Sequence, residues 1–466
     1  MIDIQAGNAR KGEDRGRPVA PPWQPEAVAG ELHVVLDISR LLSSAFRGYP
    51  SGIDRVEFAY ARRWREAPGT TFVAQTPWGG FALVPRDHAL RLVDALGQSL
   101  AEGALDRPGQ GPAHRAARRQ AVALHARLAS GIGRAALLQR IAQRPRSVFL
   151  LVSHKSLEQV GPIQSLRDAG ARFVPLIHDL IPITHPEYNR PRQTVAHHRR
   201  MAVTARMADA VIVNSAATGA ALAHHLMALG QAPPRIVVAP LGFDLPPADS
   251  IPPAPRPETP YFVMLGTIEP RKNHQLMLSL WRDMSETLGP GAPRLIILGR
   301  RGWDNEPVFR VLDRCGGYGG LVEERGPVSD GVIASVLSGA RALLFPSFAE
   351  GYGIPLVEAL ALGVPAICSD IPALVEVGAG VPEHIHPLDG AAWRRAVLDY
   401  ASDSSQARAA QLARLAGWQR PDWTTHFQLT DQLLGHLARE PRSHEARAPA
   451  PLASGPAVAA PQPGVP

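Results

Sequence analysis

The sequence predicts an α/β protein of two doubly wound domains facing one another across a cleft. Three observations predict it. At 466 residues the chain is too long for one ordinary core, and two domains of roughly 200 residues each is the natural division. Short apolar runs alternate with helical patterns on both sides of one Pro-rich break. Those runs are apolar throughout instead of alternating, as strands buried on both faces must be, so they predict βαβ units and parallel sheets.

In chain order, residues 1–30 mix charge with Pro and Gly and lack the apolar centre of a signal peptide, which predicts a disordered extension on a cytoplasmic protein. The first domain spans 31–245, with strands expected at His33–Asp37, Thr71–Gln75, Val148–Val152, Phe173–Ile177, Ala210–Val213 and Ile236–Ala239. Seven prolines crowd the sixteen residues Leu245–Pro260, so 246–260 reads as a semi-rigid linker. The second domain spans 261–439, with strands expected at Tyr261–Leu265, Leu295–Leu298, Gly320–Glu323, Ala342–Pro346 and Pro365–Cys368. Residues 440–466 are Pro/Ala-rich and predict a disordered tail. Ligands of such sheets sit at the carboxyl ends of the strands, and most of the motifs below follow a predicted strand directly.

Composition narrows the function. The chain is 45% hydrophobic, and no apolar run approaches the ~18 residues of a membrane span. Cys315 and Cys368 are too few and too far apart for a disulfide framework or a zinc site, and both are expected buried and inert. The net charge of +7 has a local source: Arg107 to Leu157 contains no Asp or Glu but nine arginines and Lys155. Leu124, Leu128, Ile132, Leu137, Leu138 and Ile141 recur there at helical spacing. Three readings of this basic insertion, 107–146, compete: a solvated helix pair, peripheral contact with an anionic membrane such as the cytoplasmic face of an inner membrane, and nucleic-acid binding. Nucleic acid is disfavoured because no aromatic residue interleaves the charges.

The most informative stretch is Glu350-Gly351-Tyr352-Gly353-Ile354-Pro355-Leu356-Val357-Glu358, two carboxylates eight positions apart across a glycine turn that opens a helix. Gly351 and Gly353 permit close backbone approach, Pro355 suits a first helical turn, and the free amides and dipole of that helix end attract an anion. Carboxylates on either side of an anion site imply hydroxyls beyond the phosphates. After the strand Tyr261–Leu265, Gly266 permits a tight turn, and Arg271 and Lys272 follow as a pair suited to a diphosphate leaving group. Gly299, in a Gly-Arg turn, and Val328, in Gly326-Pro327-Val328-Ser329-Asp330, are candidates for backbone contact with a nucleotide; Ser329 or Asp330 is expected to cap the next helix. In the first domain, His178-Asp179 ends a strand, and His178 could bind a hydroxyl or assist proton transfer. Gly52 and Arg55 open a helix that could lie across the cleft from the phosphate site. His197-His198 and His224-His225 read as surface features. No Asp-x-Asp occurs, so no metal site or metal cofactor is expected. No Walker or dinucleotide fingerprint opens a helix, which argues against NTPases and dinucleotide oxidoreductases.

These residues resemble the retaining nucleotide-sugar glycosyltransferases of family 4, with their two-domain Rossmann-like GT-B architecture. The resemblance rests on Gly266 to Asn273, Gly326 to Asp330, Phe345-Pro346-Ser347 leading into Glu350 to Ala359, Gly363-Val364-Pro365 and Glu376-Val377-Gly378. In the first domain it rests more loosely on Gly52 to Val56, His178-Asp179 and Val213-Asn214-Ser215, and is similar there to transferases of bacterial surface-polysaccharide assembly. It implies a nucleotide-sugar donor, GDP-mannose or a UDP-sugar, and a glycan or lipid-linked acceptor. It implies that Glu358 holds the donor ribose, that Arg271 and Lys272 neutralise the diphosphate, and that the amides of Gly353, Ile354 and Leu356 assist. Glu350, the sole carboxylate placed near the sugar, and His178 would attend the transferred group, with Tyr352 and Pro355 lining the same site. Two other classes stay open: a nucleotide-sugar 2-epimerase, which expects further carboxylates in the first-domain cleft, and a silent sugar-nucleotide-binding scaffold.

Overall fold

The computed structural model describes residues 32–47, 50–101, 111–255 and 258–440. The segments expected to be disordered, 1–30 and 440–466, lie outside these residues except for Glu440, as do 107–110 of the basic insertion.

Among the described residues the first sheet has seven strands: β1 (His33–Asp37), β2 (Thr70–Gln75), β3 (Phe81–Leu83), β4 (Ser147–Leu151), β5 (Arg172–Ile177), β6 (Ala210–Val213) and β7 (Arg235–Val238). Their order is β3-β2-β1-β4-β5-β6-β7, and all pairs are parallel except β2 with β3. The second sheet has six: β8 (Tyr261–Leu265), β9 (Arg294–Leu298), β10 (Val322–Arg325), β11 (Leu343–Phe345), β12 (Ala366–Ser369) and β13 (Glu383–Ile385). It is parallel throughout, in the order β10-β9-β8-β11-β12-β13. Every residue of β1, β4 and β12 is buried, as strands covered by helices on both faces require. Each sheet reverses its strand order once, between β1 and β4 and between β8 and β11. The loops leaving β8 and β11 therefore splay apart at one point, and that crevice is where an open α/β sheet receives its ligand.

The expected strands are present with shifted ends. β10 starts two residues late because Gly319 and Gly320, at φ 72° and 87°, terminate the short helix Gly316–Gly320. Two strands carried no sequence signal. β3 is a three-residue antiparallel edge strand, and β13 reads Glu-His-Ile, with one apolar residue.

The helix Trp423–Arg439 corrects the expected second-domain boundary at 439, because it packs on β4 and β7 of the first sheet. His426 fixes it there. Its Nδ1 faces the carbonyls of Ala239 (3.1 Å) and Pro240 (3.0 Å) and so donates, while Nε2 accepts from the Tyr60 hydroxyl at 2.8 Å. The chain thus crosses between domains twice, before β8 and again ahead of Trp423. One hydrophobic cluster runs through the crossing, with Leu241, Tyr352 and Phe427 joining the cores of both sheets. Two smaller expectations fail. Cys315 is exposed at the end of the helix Glu306–Arg314, and only Cys368 is buried. His197 is a core residue, on the inner face of the helix Pro191–Met207.

Candidate functional site

The turn after β8 brings the candidate cations to the crevice. Gly266 sits at φ 128°, a 3-10 turn covers Pro270–Lys272, and Asn273 ends it in the left-handed region, held by its Nδ2 donating to the Pro387 carbonyl at 2.9 Å. Arg271 and Lys272 are thereby placed against Glu350, which follows β11. Glu350 Oε1 receives Arg271 Nη1 at 2.7 Å and Lys272 Nζ at 2.6 Å. Arg271 Nε also binds Glu269 Oε1 at 2.6 Å, and Lys272 Nζ lies 4.5 Å from the centroid of the Phe345 ring. Two carboxylates, Glu269 and Glu350, therefore attend the cations.

The electrostatics follow from burial. Desolvation pushes the Glu350 carboxyl upward, but Arg271 and Lys272 outweigh it and hold it at about 2. Burial lowers Lys272, with Glu350 opposing, and burial raises Glu269, with Arg271 opposing. The cluster thus pairs two cations, Arg271 and Lys272, with two carboxylates, Glu269 and Glu350.

The glycine turn after Glu350 is a docking point between the domains. A Cβ at Gly351 would lie 2.1 Å from the His178 carbonyl oxygen and 2.8 Å from Asp179 Cβ. The Gly351 carbonyl accepts from Ser215 Oγ (2.7 Å) and Thr218 Oγ1 (3.0 Å) of the first domain. Beside it, the amides of Ala216 (2.7 Å) and Ala217 (3.0 Å), opening the helix Ala216–Ala228, donate to the Glu376 carboxylate. Gly353, at φ 106°, is required because a Cβ would sit 2.6 Å from Leu374 Cδ2. The helix Ile354–Ala361 then opens with Pro355 in its first turn.

Several candidate roles change. The Leu356 amide is already bonded to the Gly353 carbonyl at 2.9 Å, so it offers no free donor to a ligand. The Tyr352 hydroxyl donates to the Leu241 carbonyl at 2.8 Å and anchors the interdomain crossing. Gly299 packs against the turn after β8, since a Cβ there would lie 1.9 Å from the Gly266 carbonyl oxygen. His178 turns its Nε2 to the Val152 carbonyl at 2.8 Å within its own domain, so its backbone, and not its ring, meets the Gly351 turn. Burial lowers its pKa to about 4, and the ring is neutral at neutral pH. Val328 is half-buried against the core, and Ser329 caps its helix by accepting from the Val332 amide.

Gly52 and Arg55 do lie across the cleft. The helix Gly52–Trp64 starts with a reciprocal cap in which Asp54 accepts from the Ser51 amide at 2.6 Å. A Cβ at Gly52 would approach Ile354 Cδ1 to 2.9 Å. Arg55 makes a two-pronged ion pair with Asp330 (2.6 and 2.5 Å), joining the domains. Both line a cavity of about 620 Å³ that Glu358 also borders. Burial raises Glu358 to about 7; Arg55 opposes that rise and Asp330 adds to it.

Sequence reasoning missed Asp330, Glu269, Asp37 and Glu57. Asp37 ends β1, and Glu57 lies on the helix behind it; both are fully buried, each with one oxygen lacking a partner. Burial raises them to about 7 and about 8, and the Asp37 charge adds to the rise at Glu57, while Lys155 opposes it at Asp37 and Arg40 at Glu57. An apolar run ending in Asp was the available signal for Asp37. Among the described residues no three His, Cys, Asp or Glu side chains converge as a metal-ion set, and no helix is long and apolar enough to cross a membrane.

Residues 249–406 match the family described as glycosyl transferases group 1. The chain is 27% identical over 313 residues to the O-antigen chain mannosyltransferase B of Escherichia coli, covering 64% of this chain and 80% of that one. It is 30% identical over 247 residues to the serotype-specific mannosyltransferase WbdA of the same species, of whose length it spans only 29%. In structure it resembles Anabaena Alr3699/HepE solved with UDP (TM-score 0.56, 15% identity, 86% of this chain and 99% of that) and the sucrose-phosphate synthase of Thermosynechococcus elongatus (TM-score 0.55, 15% identity, 87% and 99%). Residues 249–406 are therefore similar to the group 1 glycosyltransferases, and the chain as a whole shares the GT-B fold of its structural neighbours.

Proposed function

We propose that the chain is a retaining transferase of family 4 that moves a hexose, mannose first, from a nucleoside-diphosphate sugar to a growing cell-surface glycan. The observation that carries this reading is the buried Arg271–Lys272 pair at the sheet's switch point, with Glu350 on its cations and Glu358 one helix further on. Relatives named as an O-antigen chain mannosyltransferase and a serotype-specific mannosyltransferase support the sugar and the pathway class, and a UDP complex of a structural neighbour supports the donor class.

The chemistry follows from the charges. As the anomeric C–O bond breaks, its electron pair moves onto the diphosphate, and Arg271 and Lys272 stabilise the charge that develops there. The acceptor hydroxyl bonds to the anomeric carbon on the face the diphosphate leaves, and its proton passes to the departing phosphate oxygen. Glu350, released from one of its cations by the diphosphate, faces the sugar. Glu358, once ionised, accepts from the ribose hydroxyls, with the Gly353 and Ile354 end of the helix beside the phosphates. Domain contacts at Gly351 keep water from the donor.

A second reading, a nucleotide-sugar epimerase, is favoured by the buried carboxylates Asp37 and Glu57 in the first domain. One experiment separates the two. The purified protein is incubated with GDP-mannose and with UDP-sugars, with and without lipid-linked oligosaccharide, while nucleoside diphosphate release is followed and the product linkage is read by NMR. Transfer predicts acceptor-dependent release and retained configuration; sugar conversion without release would reject it.

A further inference from the structure

The basic segment acquires a partner that its own sequence does not contain. The helix Pro112–Ala129 packs on the helix Arg86–Ala101 and the helix Arg134–Ala142 on the edge strand β3, where the turn between them docks, with the Leu83 amide donating to the Gly133 carbonyl at 3.3 Å. Beside that turn lies the β2–β3 turn, whose Trp78 is 81% exposed. Trp78 is positioned deliberately: its Nε1 donates to the Ala129 carbonyl at 2.8 Å, which satisfies its one polar atom and leaves the ring outward. Ile132, at the tip of the adjoining turn, is 54% exposed, and Val122, on the outer face of the first helix, is 53% exposed. Arg134 reaches the same corner, 3.9 Å from where a Cβ at Gly80 would be.

Cations stand at this apolar corner: Arg127, in the last turn of the first helix, and Arg134, at the start of the second, have no carboxylate partner among the described residues. The absence of any Asp or Glu from 107 to 157 leaves their charge uncompensated along the chain. Along the same helix, Phe46 meets His125 (5.4 Å) and Arg118 (5.9 Å). Phe46 directly follows the helix Ser39–Ser44, which leaves the carboxyl end of β1, so the surface runs from the sheet edge towards the cleft. An outward Trp and Ile beside unpaired arginines is the combination that an anionic lipid surface favours, with apolar groups entering the interface and arginines at the headgroups.

We propose that this corner, centred on Trp78 and Ile132 with Arg127 and Arg134, seats the protein on an anionic bilayer. The inference does not depend on the sugar or the donor, and its test reads binding alone. The whole chain is sedimented with phosphatidylcholine vesicles, with and without phosphatidylglycerol, in the absence of any sugar nucleotide. Binding to the anionic vesicles and release by high salt are expected. Arg127→Gln with Arg134→Gln should lower partitioning roughly 25-fold, at about fivefold per arginine near the surface. Trp78→Ser with Ile132→Ser should also weaken binding, by roughly tenfold or more. These four side chains lie outside the cores, so unfolding temperatures should match the parent. Equal binding to neutral vesicles, no binding to either, or parental binding by both variants would overturn the proposal. So would displacement of the protein from anionic vesicles by stoichiometric single-stranded nucleic acid.

Discussion

Replacing Glu350 by Gln removes the carboxylate that two buried cations share while keeping the side chain's shape. Its stabilising contribution can be worked from the structure. Arg271 and Lys272 hold Glu350 at about 2 against an ordinary value of 4.5. That shift corresponds to about 3 kcal/mol. An independent route agrees, since breaking a buried ion pair costs about 3–5 kcal/mol. For a domain of roughly 200 residues this lowers the unfolding temperature by about 6–12 °C. The sign with pH is fixed. A depressed carboxyl contributes stability above its unfolded pKa, here 4.5, and loses it as pH falls towards 2. Thermal unfolding at pH 7 should therefore separate parent and Glu350→Gln, and the gap should narrow as pH drops from 4.5. Adding a nucleoside diphosphate should restore more of the lost temperature in the variant, because its cations lack a carboxylate to surrender. Unfolding temperatures within 1–2 °C of each other at pH 7, or a gap unchanged at acid pH, would refute the charge balance described for this cluster.

Three further outcomes are expected. Gly351→Ala places a methyl against the His178 carbonyl and should cut turnover more than tenfold while leaving circular dichroism unchanged, with small-angle scattering showing the domains further apart. Because Glu358 is raised to about 7 and must be ionised to accept from ribose, nucleotide affinity by calorimetry should rise roughly tenfold from pH 6 to pH 8; a pH-independent affinity in the parent, or an unchanged slope in Glu358→Gln, would contradict that role. Cys315 should react promptly with an alkylating reagent in the native protein and Cys368 only after denaturation, as mass spectrometry of the labelled peptides would report.

How far the fold was legible depended on periodicity. Uniformly apolar runs such as Val148 to Leu151 announce a strand covered on both faces, and the parallel sheets follow. Edge strands carry no such run, so β3 and β13 were invisible. The return of the helix Trp423–Arg439 to the first domain was equally hidden, because an amphipathic helix does not state which core it covers. In the site, chain-local features were readable: the cations after β8, the glycine turn, and Glu358 on its helix. Pairings that depend on tertiary closure were not. Nothing in the order of residues joins Arg55 to Asp330 across the domains, or turns the His178 ring back to Val152. Tyr352 shows the same limit from the other side. Its place in the motif suggested a ligand contact, and the fold uses it to anchor the crossing.

The central claim is that Arg271 and Lys272 exist to hold a departing diphosphate. Calorimetric titration of GDP and UDP into the parent and into Lys272→Met tests it most directly, because it needs no acceptor. The parent should bind at least one of them, and the variant should bind that nucleotide more than tenfold less tightly, since about 1.5–3 kcal/mol attaches to a charge-assisted hydrogen bond. The corresponding nucleoside, lacking the diphosphate, should bind both proteins alike. Equal diphosphate affinity in parent and variant would contradict the account.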